Sequence, residues 1–174
     1  MTINGIPLHP LVVHAAVVLV PLAALFAIAY AVLPSRRWQT RTPAAVLAVG
    51  AAVAVWLASA TGDSLKEKLH ENTSLIETHE HYAGLLQASM WVLAALTVVA
   101  WWSLPHHNPL PAKDHRHGVT TLAKPLVVLL PVAAVVTLVL VVLTGDAGAK
   151  AVWGNGGRNS AAPVVSTQVS PAVR

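Results

Sequence analysis

The sequence predicts an all-α integral membrane protein, a four-helix bundle built from two repeated helical hairpins. Hydrophobic residues make up 55% of the 174 residues and charged residues only 10%, which is unusual for a soluble domain. A spanning helix needs roughly 20 mainly apolar residues. Four segments of this kind are present: residues 10–33, 43–60, 82–104 and 122–143. We expect them to form one domain over residues 1–146, followed by a flexible tail over residues 147–174.

The first apolar segment predicts a retained helix that begins at a proline. Residues 7–10 read Pro-Leu-His-Pro, and His14 follows about one turn inside the apolar stretch. Pro10 suits the first helical turn because its missing N–H has no partner within the helix there. Residues 1–8 contain no Lys or Arg, which a secretion signal would carry, so we expect this helix to stay in the membrane.

The basic residues predict the orientation of the chain. Loops on the cytoplasmic side of a membrane protein carry an excess of Lys and Arg. The loops after the first and third segments, together with the start of the fourth segment, contain six such residues against two in the middle loop: Arg36, Arg37, Arg41, Lys113, Arg116 and Lys124 against Lys66 and Lys68. We therefore expect both termini and the middle loop to lie outside. The formal charge of +4 is scattered over loops, which argues against nucleic-acid binding.

The middle loop contains two possible helix starts. The sequences Ser64-Leu65-Lys66-Glu67 and Ser74-Leu75-Ile76-Glu77 both fit the capping box, in which a hydroxyl and a carboxylate satisfy free amides of the first turn. The first predicts a short surface helix, and the second predicts an early start of the third helix. The other long loop contains a His-rich sequence near residues 106–117. We expect this sequence to be a solvated segment.

A repeated tripeptide supports the two-hairpin interpretation. Thr61-Gly62-Asp63 and Thr144-Gly145-Asp146 are predicted to end the second and fourth helices, with the glycines as C-caps. Both hairpins begin outside, so we expect parallel repeats related by an axis along the membrane normal. In this arrangement helix one pairs with helix three.

The topology gathers titratable residues at the outer face of the bundle. These residues are His9, His14, Asp63, His70, Glu77, His79, Glu80, His81 and Asp146. Polar side chains collect at any membrane interface, so a structural or partner-binding cluster is one interpretation. His14 stands out because ionisable residues inside an apolar run tend to face the bundle and mark a site.

The leading functional hypothesis is a b-type haem bound by His14 and His81. Two imidazoles from opposite helices can ligate a haem iron axially. Glu77 lies four residues before His81 and on the same helical face, so its carboxylate could hold one ring nitrogen. Gly84 and Ala88 continue that face with small residues, which permit a flat macrocycle or close helix contact.

A bare metal site is a second hypothesis, with His79, Glu77 and Asp63 as ligands. His79 and His81 project about 200° apart on a helix, so they are not expected to bind one ion together. His9 projects about 140° away from His14 and is assigned with Asp146 to the rim of the site. No catalytic constellation is evident, and we do not expect an enzyme.

A third hypothesis is a non-enzymatic membrane subunit that associates with a larger complex. Gly50, Ala54 and Ala58 form a small-residue stripe on the second helix. We assign this stripe first to packing within the bundle, and the subunit hypothesis uses it together with the middle loop as a contact surface.

The chain also resembles a bacterial family of four-helix membrane proteins of unknown function, DUF2231. The resemblance rests on the Pro-Leu-His-Pro-x-x-Val-His opening at residues 7–14, the Gly-Asp at the predicted end of helix two and the His-rich start of helix three, and it covers roughly Ile6 to Asp146. Relatives often carry an aromatic residue and a proline where this chain has Ala15 and Ala16. The resemblance implies a bacterial cytoplasmic membrane protein. Some relatives are joined to redox domains, which favours haem or electron transfer, with a membrane redox complex or a second copy as partner.

Overall fold

The computed structural model describes residues 2–3, 6–69, 74–104 and 120–153. Its four long helices are α1 (Leu8–Val32), α2 (Arg37–Leu69), α3 (Ser74–Ser103) and α4 (Thr120–Trp153). A 3-10 turn, Pro34–Arg36, joins α1 to α2, and two short antiparallel strands, β1 (Thr2–Ile3) and β2 (Ile6–Pro7), precede α1. All four helices are long and apolar enough to cross a membrane. The all-α membrane bundle predicted from composition is confirmed.

The helices pack in the cyclic order α1, α2, α3, α4. The most extensive packing lies within each hairpin, α1 against α2 and α3 against α4, while α1 also packs on α4 and α2 on α3. Helices α1 and α3 occupy diagonal corners and scarcely touch. The expectation that helix one pairs with helix three is therefore wrong. Two hairpins related by an axis along the membrane normal give this diagonal placement, because the axis passes between the equivalent helices.

Small side chains fill much of the bundle interior. The buried residues of α1 and α2 are largely alanines that are fully or almost fully buried: Ala23, Ala24, Ala27, Ala31, Ala44, Ala48, Ala51 and Ala52. Such residues let two backbones approach closely, which is how helices gain contact energy in a membrane. The second hairpin uses larger buried side chains, including Leu86, Met90, Leu93 and Leu130. The stripe predicted on α2 packs only in part, because Ala54 is buried whereas Gly50 is exposed.

Two helices run past the ends predicted from the repeated tripeptide. Helix α2 continues through Gly62 to Leu69, and α4 continues through Gly145 to Trp153. The C-cap roles of both glycines and the separate surface helix at Ser64 are wrong. A glycine inside a helix costs only about 1 kcal/mol, which further helical contacts can offset.

In α4, Lys150 donates a hydrogen bond to Asp146 at 2.6 Å and supports the extra turns beyond Gly145. Residues 147–153 of the predicted tail are therefore helical.

The predicted early start of the third helix agrees with the structure. Helix α3 begins at Ser74 with Glu77 in its first turn. His70, the His-rich sequence near residues 106–117 and the chain after Trp153 lie outside the described residues. The flexible tail and the orientation in the membrane stay predictions.

Side chains tie the helices together where α1 meets α2, at the end that we call the arginine end after Arg36, Arg37 and Arg41. The Tyr30 hydroxyl donates a hydrogen bond of 2.8 Å to the carbonyl of Ala100 on α3. The buried Arg37 guanidinium donates to the carbonyls of Tyr30 and Ala31, at 3.3 and 3.1 Å. These two carbonyls belong to the last turn of α1, where helical partners run out, so Arg37 caps α1.

Candidate histidine site at one end of the bundle

The opposite end of the bundle holds His14, His79 and His81, and we call it the histidine end. Helices α1 and α3 run in the same direction, and the Tyr30–Ala100 hydrogen bond sets their relative height. By that register His14 is about level with Gly84. His79 lies about 8 Å further toward the end, at 1.5 Å of rise per residue. The predicted gathering of these histidines at one end therefore agrees with the packing.

His79 is the histidine that the fold fixes against a neighbouring helix. Its Nδ1 lies 3.0 Å from the backbone carbonyl oxygen of Thr144 on α4. A carbonyl only accepts hydrogen bonds, so Nδ1 must carry the proton in this contact. In the neutral form of the ring, Nε2 would then be the unprotonated nitrogen. Histidines that ligate metals are commonly oriented in this way, through the other ring nitrogen to a carbonyl or carboxylate.

Gly148 lies directly beside this contact. In a helix the amide of residue 148 bonds to the carbonyl of residue 144, so residue 148 lies beside the oxygen that His79 reaches. A Cβ atom added at Gly148 would lie 3.1 Å from both Cε1 and Nδ1 of the His79 ring. Gly145 differs, because a Cβ atom there would meet nothing within 4 Å. Gly148 therefore leaves room for the imidazole, whereas Gly145 borders open space.

His14 and His81, the predicted haem ligands, are both exposed. The His81 ring packs edge-on against Tyr82, with ring centroids 5.8 Å apart. Their helices lie at diagonal corners, and the packed interior begins close below His14, at Ala16. An iron shared by both rings would have to lie at the open end, above that packed layer. The bundle core does not bring the two imidazoles together.

The face of α3 proposed to support His81 also points outward. Glu77, Gly84 and Ala88 are exposed with His81, and Gly84 has nothing within 4 Å of an added Cβ. Half-buried His79 faces α4 instead. The two neighbouring histidines thus differ in their surroundings, as the helical spacing predicts.

The remaining predicted residues contribute less to a common centre. Asp146 pairs with Lys150 on the surface of α4. His9 and Asp63 lie in α1 and α2, but their side chains are outside the described residues, so their rim and metal roles stay predictions. Within residues whose side chains are described, no group of three His, Asp or Glu is placed to hold a metal ion.

The histidine end can supply one oriented imidazole and two exposed ones. This chemistry suits the axial ligation of a macrocycle iron, which takes one or two protein nitrogens. The sequence interpretation chose His14 because of its depth and missed the carbonyl of Thr144 and the role of Gly148. The spacing of four residues between Thr144 and Gly148 was an available signal, because a glycine in that position leaves a helical carbonyl uncovered.

A family comparison agrees with this architecture. No curated protein and no solved structure significantly matches the chain. The family model described as "Predicted membrane protein (DUF2231)" matches residues 5–161, which covers the four helices and the histidine end. The chain is a multi-pass membrane protein that belongs to the DUF2231 family of predicted membrane proteins.

Proposed function

We propose that this protein is a redox or electron-transfer component of the bacterial cytoplasmic membrane, with a b-type haem bound at its histidine end. The observation that carries the proposal is the hydrogen bond between His79 Nδ1 and the Thr144 carbonyl, which orients the ring and leaves Nε2 as the nitrogen that can bind iron. We assign His79 as the fixed axial ligand. In this assignment the oriented ligand is His79, held by the Thr144 carbonyl, in place of His81 held by the Glu77 carboxylate.

The second axial ligand is assigned to an exposed imidazole of the same end, His14 or His81. His81 follows His79 by two residues on one helix and points to another side, so within one chain the partner left is His14, which lies across the same diagonal that separates it from His81. His81 would serve if a second copy of the chain shared the haem. The original pair of His14 and His81 is the competing assignment, and the same experiment separates it.

Haem is favoured over a bare metal ion because it needs fewer protein ligands. A structural or catalytic zinc site uses three or four protein side chains, whereas a haem iron takes its other four nitrogens from the macrocycle. The described side chains offer no cluster of three His, Asp or Glu. The proposed metal set of His79, Glu77 and Asp63 depends on Asp63, whose side chain is not described.

The experiment is a reduced-minus-oxidised absorption spectrum of the full chain, purified in detergent after growth with a haem precursor. We expect a Soret shift in the wild type, its loss in His79→Ala and its retention in Gly145→Ala. Loss in His14→Ala and His81→Ala with retention in His79→Ala would replace our ligand assignment by the original pair. A wild type without a Soret shift, and without metal by elemental analysis, would overturn the proposal.

A non-enzymatic subunit of a larger membrane complex is the second candidate. The observation in its favour is Gly50, which is exposed on α2 with nothing within 4 Å of an added Cβ. Small exposed residues of a spanning helix allow close approach of another helix. Under this hypothesis Gly50→Leu should release a copurifying membrane protein that Val46→Leu retains. A wild type that purifies alone as a stable monomer would count against it.

A further inference from the structure

The membrane-spanning part of the chain has a constant height. Residues 15–35, 42–62 and 125–145 contain no Asp, Glu, Lys, Arg or His, and each of these stretches is 21 residues long. A helix of this length spans about 30 Å, which is the hydrocarbon thickness of a typical bilayer. In α3 the uncharged stretch begins after His81 and continues to the end of the helix at Ser103. The four helices therefore share one apolar slab of equal height.

Contacts between helices align these uncharged stretches. At the arginine end, Trp101 of α3 donates a hydrogen bond of 3.4 Å to the hydroxyl of Thr42, the first residue of the stretch in α2. At the histidine end, His79 contacts the carbonyl of Thr144, which is the last residue but one of the stretch in α4. Counted along α3 from Trp101, His81 lies about 30 Å away, which is level with the end of the stretch in α2. The stretches therefore begin and end at common depths, as one bilayer requires.

The repeated tripeptide Thr-Gly-Asp marks the boundary of the slab at the histidine end. Its aspartates, Asp63 and Asp146, are the first charged residues after the uncharged stretches of α2 and α4. The threonine hydroxyls lie just inside the boundary and are satisfied within their own helices, because Thr61 and Thr144 donate to carbonyls one turn earlier, at 2.8 and 2.7 Å. A charged side chain is costly in hydrocarbon. The tripeptide therefore marks where both helices leave the hydrocarbon.

Three helices extend beyond this boundary. Helix α2 continues to Leu69, α3 begins at Ser74 and α4 continues to Trp153, about 10 Å past the end of its uncharged stretch. The polar headgroup region adds about 5–8 Å on each side of the hydrocarbon, so the helix ends reach the water. His79 lies two residues beyond His81, which places the oriented imidazole in the headgroup layer and on the aqueous side of the hydrocarbon.

Packed side chains close the site toward the centre of the bilayer. Ala16 of α1 and Leu86 and Met90 of α3 are buried, and Leu86 lies only about 10 Å from His79 along the helix. On the aqueous side of Thr144, Gly148 leaves room beside the His79 ring. A carrier in the water can therefore come close to His79, whereas a molecule inside the bilayer would meet the packed bundle.

On the basis of the haem function proposed above, we propose that the redox partner of the histidine end is a water-soluble one-electron carrier, rather than a quinone dissolved in the bilayer. The carrier approaches the ends of α3 and α4 that extend beyond the hydrocarbon, where Thr78 and Ala149 are exposed. One exchange moves a single electron between the iron and the carrier, so that one is oxidised as the other is reduced. No proton is transferred and no bond is formed or broken.

The first measurement locates the boundary and needs no haem. The chain contains no cysteine, so a single-cysteine variant in nanodiscs can carry one nitroxide label. We expect labels at Thr78→Cys and Ala149→Cys to be relaxed more strongly by a water-soluble nickel chelate than by oxygen. Ala88→Cys and Val139→Cys are the matched controls, because both positions are exposed on the same helices and lie about 10 Å inside the boundary; oxygen should dominate there. Labels at Thr78 and Ala149 that behave like these controls would overturn the proposal.

The second measurement follows the reoxidation of the dithionite-reduced, haem-containing chain in nanodiscs after the excess reductant has been removed. Oxidised cytochrome c in the water should accelerate reoxidation, and decylubiquinone in the bilayer should leave the rate at that without an acceptor. A polyethylene glycol maleimide on Ala149→Cys should slow the reaction with cytochrome c severalfold. The same reagent on Arg36→Cys, exposed at the opposite end, should not. Reoxidation by decylubiquinone alone, or equal slowing by both labels, would overturn the proposal.

The two measurements distinguish a wrong partner from a wrong haem assignment. A chain that binds no haem but shows the expected label depths would overturn the haem function, and the electron carrier with it, while the position of the boundary stands. A haem-containing chain that is reoxidised by decylubiquinone alone would overturn only the choice of a water-soluble partner.

Discussion

The two ends of the bundle are built on different principles. At the arginine end, three helices are tied by side chains: Tyr30 of α1 bonds to α3, Arg37 of α2 bonds to α1, and Arg41 of α2 packs on Trp101 of α3. At the histidine end, His79 ties α3 to α4 through one ring nitrogen. The arginine end uses its polar side chains to close the bundle, whereas the histidine end keeps imidazoles at its surface.

This difference indicates where function is to be sought. Arg37 satisfies the carbonyls that end α1, so its charge is explained by structure. His14 and His81 are exposed at the histidine end, and His79 is fixed there by one ring nitrogen. We therefore expect the largest effects on stability from substitutions at the arginine end and the effects on function from substitutions at the histidine end. The following predictions are ordered by the size of the expected effect.

The largest loss of stability is expected for Arg37→Met. The change removes the guanidinium that donates hydrogen bonds to the carbonyls of Tyr30 and Ala31. Both carbonyls therefore lose this partner. We expect the free energy of unfolding to fall by about 1–3 kcal/mol, as measured by denaturant titration in detergent. Arg36→Met is the control, because Arg36 is exposed and should tolerate the change. Equal effects of the two variants would contradict the capping role of Arg37.

Gly148→Ala should be less stable than Gly145→Ala, although both glycines lie in α4 at the histidine end. The added Cβ at Gly148 meets the His79 ring at 3.1 Å, so the imidazole must shift and its bond to Thr144 weakens. Gly145 has open space, and alanine there gains helix propensity. The two variants should differ by about 1–2 kcal/mol in thermal unfolding. Equal stability of the two variants would show that the His79 ring accommodates the added methyl group and that Gly148 is not required for its bond to Thr144.

Tyr30→Phe tests the tie between the diagonal helices. It removes the hydroxyl that donates to the Ala100 carbonyl and keeps the buried ring. Hydrogen bonds between spanning helices contribute about 0.6 kcal/mol on average, and up to about 1.7. We expect a loss near the middle of that range, with no change in any spectrum of the histidine end. A spectral change would show that the two ends are coupled.

The smallest effect is expected for Thr137→Val, between the two ends. The buried Thr137 hydroxyl bonds to the carbonyl of Ala133 in its own helix at 2.8 Å, and its contact with Ser89 of α3 is long, at 3.4 Å. Valine fills the same space, so the unfolding free energy should change by less than about 0.6 kcal/mol. A larger loss would show that this hydroxyl pair, rather than the end contacts, joins α3 to α4.

The fold was predictable because long apolar segments in a sequence have one main physical explanation. Segments of roughly 20 apolar residues with few charges must satisfy their backbone internally, which selects helices. The early start of α3 at Ser74 was also predictable, because a capping-box sequence favours a helix start through local contacts. The ends at Gly62 and Gly145 were wrong because a glycine is a weak helix stop, and the contacts that offset its cost, such as Lys150 with Asp146, lie beyond it.

The candidate site was predictable only as a location. Topology places the starts of α1 and α3 at one end, so His14, His79 and His81 were expected near one another. Sequence spacing shows which residues share a face of one helix but does not show which neighbouring helix that face meets. His79 was therefore ranked below His81, although its ring is the one that contacts α4. The diagonal placement of α1 and α3 is likewise a property of packing among all four helices.

The most direct test of the central claim is the protonation of the His79 ring in the full chain. Imidazole nitrogen NMR of ¹⁵N-histidine-labelled protein in bicelles, assigned with His79→Gln, reports which nitrogen carries the hydrogen. We expect the neutral form of the ring to carry its hydrogen on Nδ1, as the Thr144 carbonyl requires, and its Nε2 signal to shift when haem is added. A ring protonated on Nε2, or one that averages between both forms and ignores haem, would contradict the account.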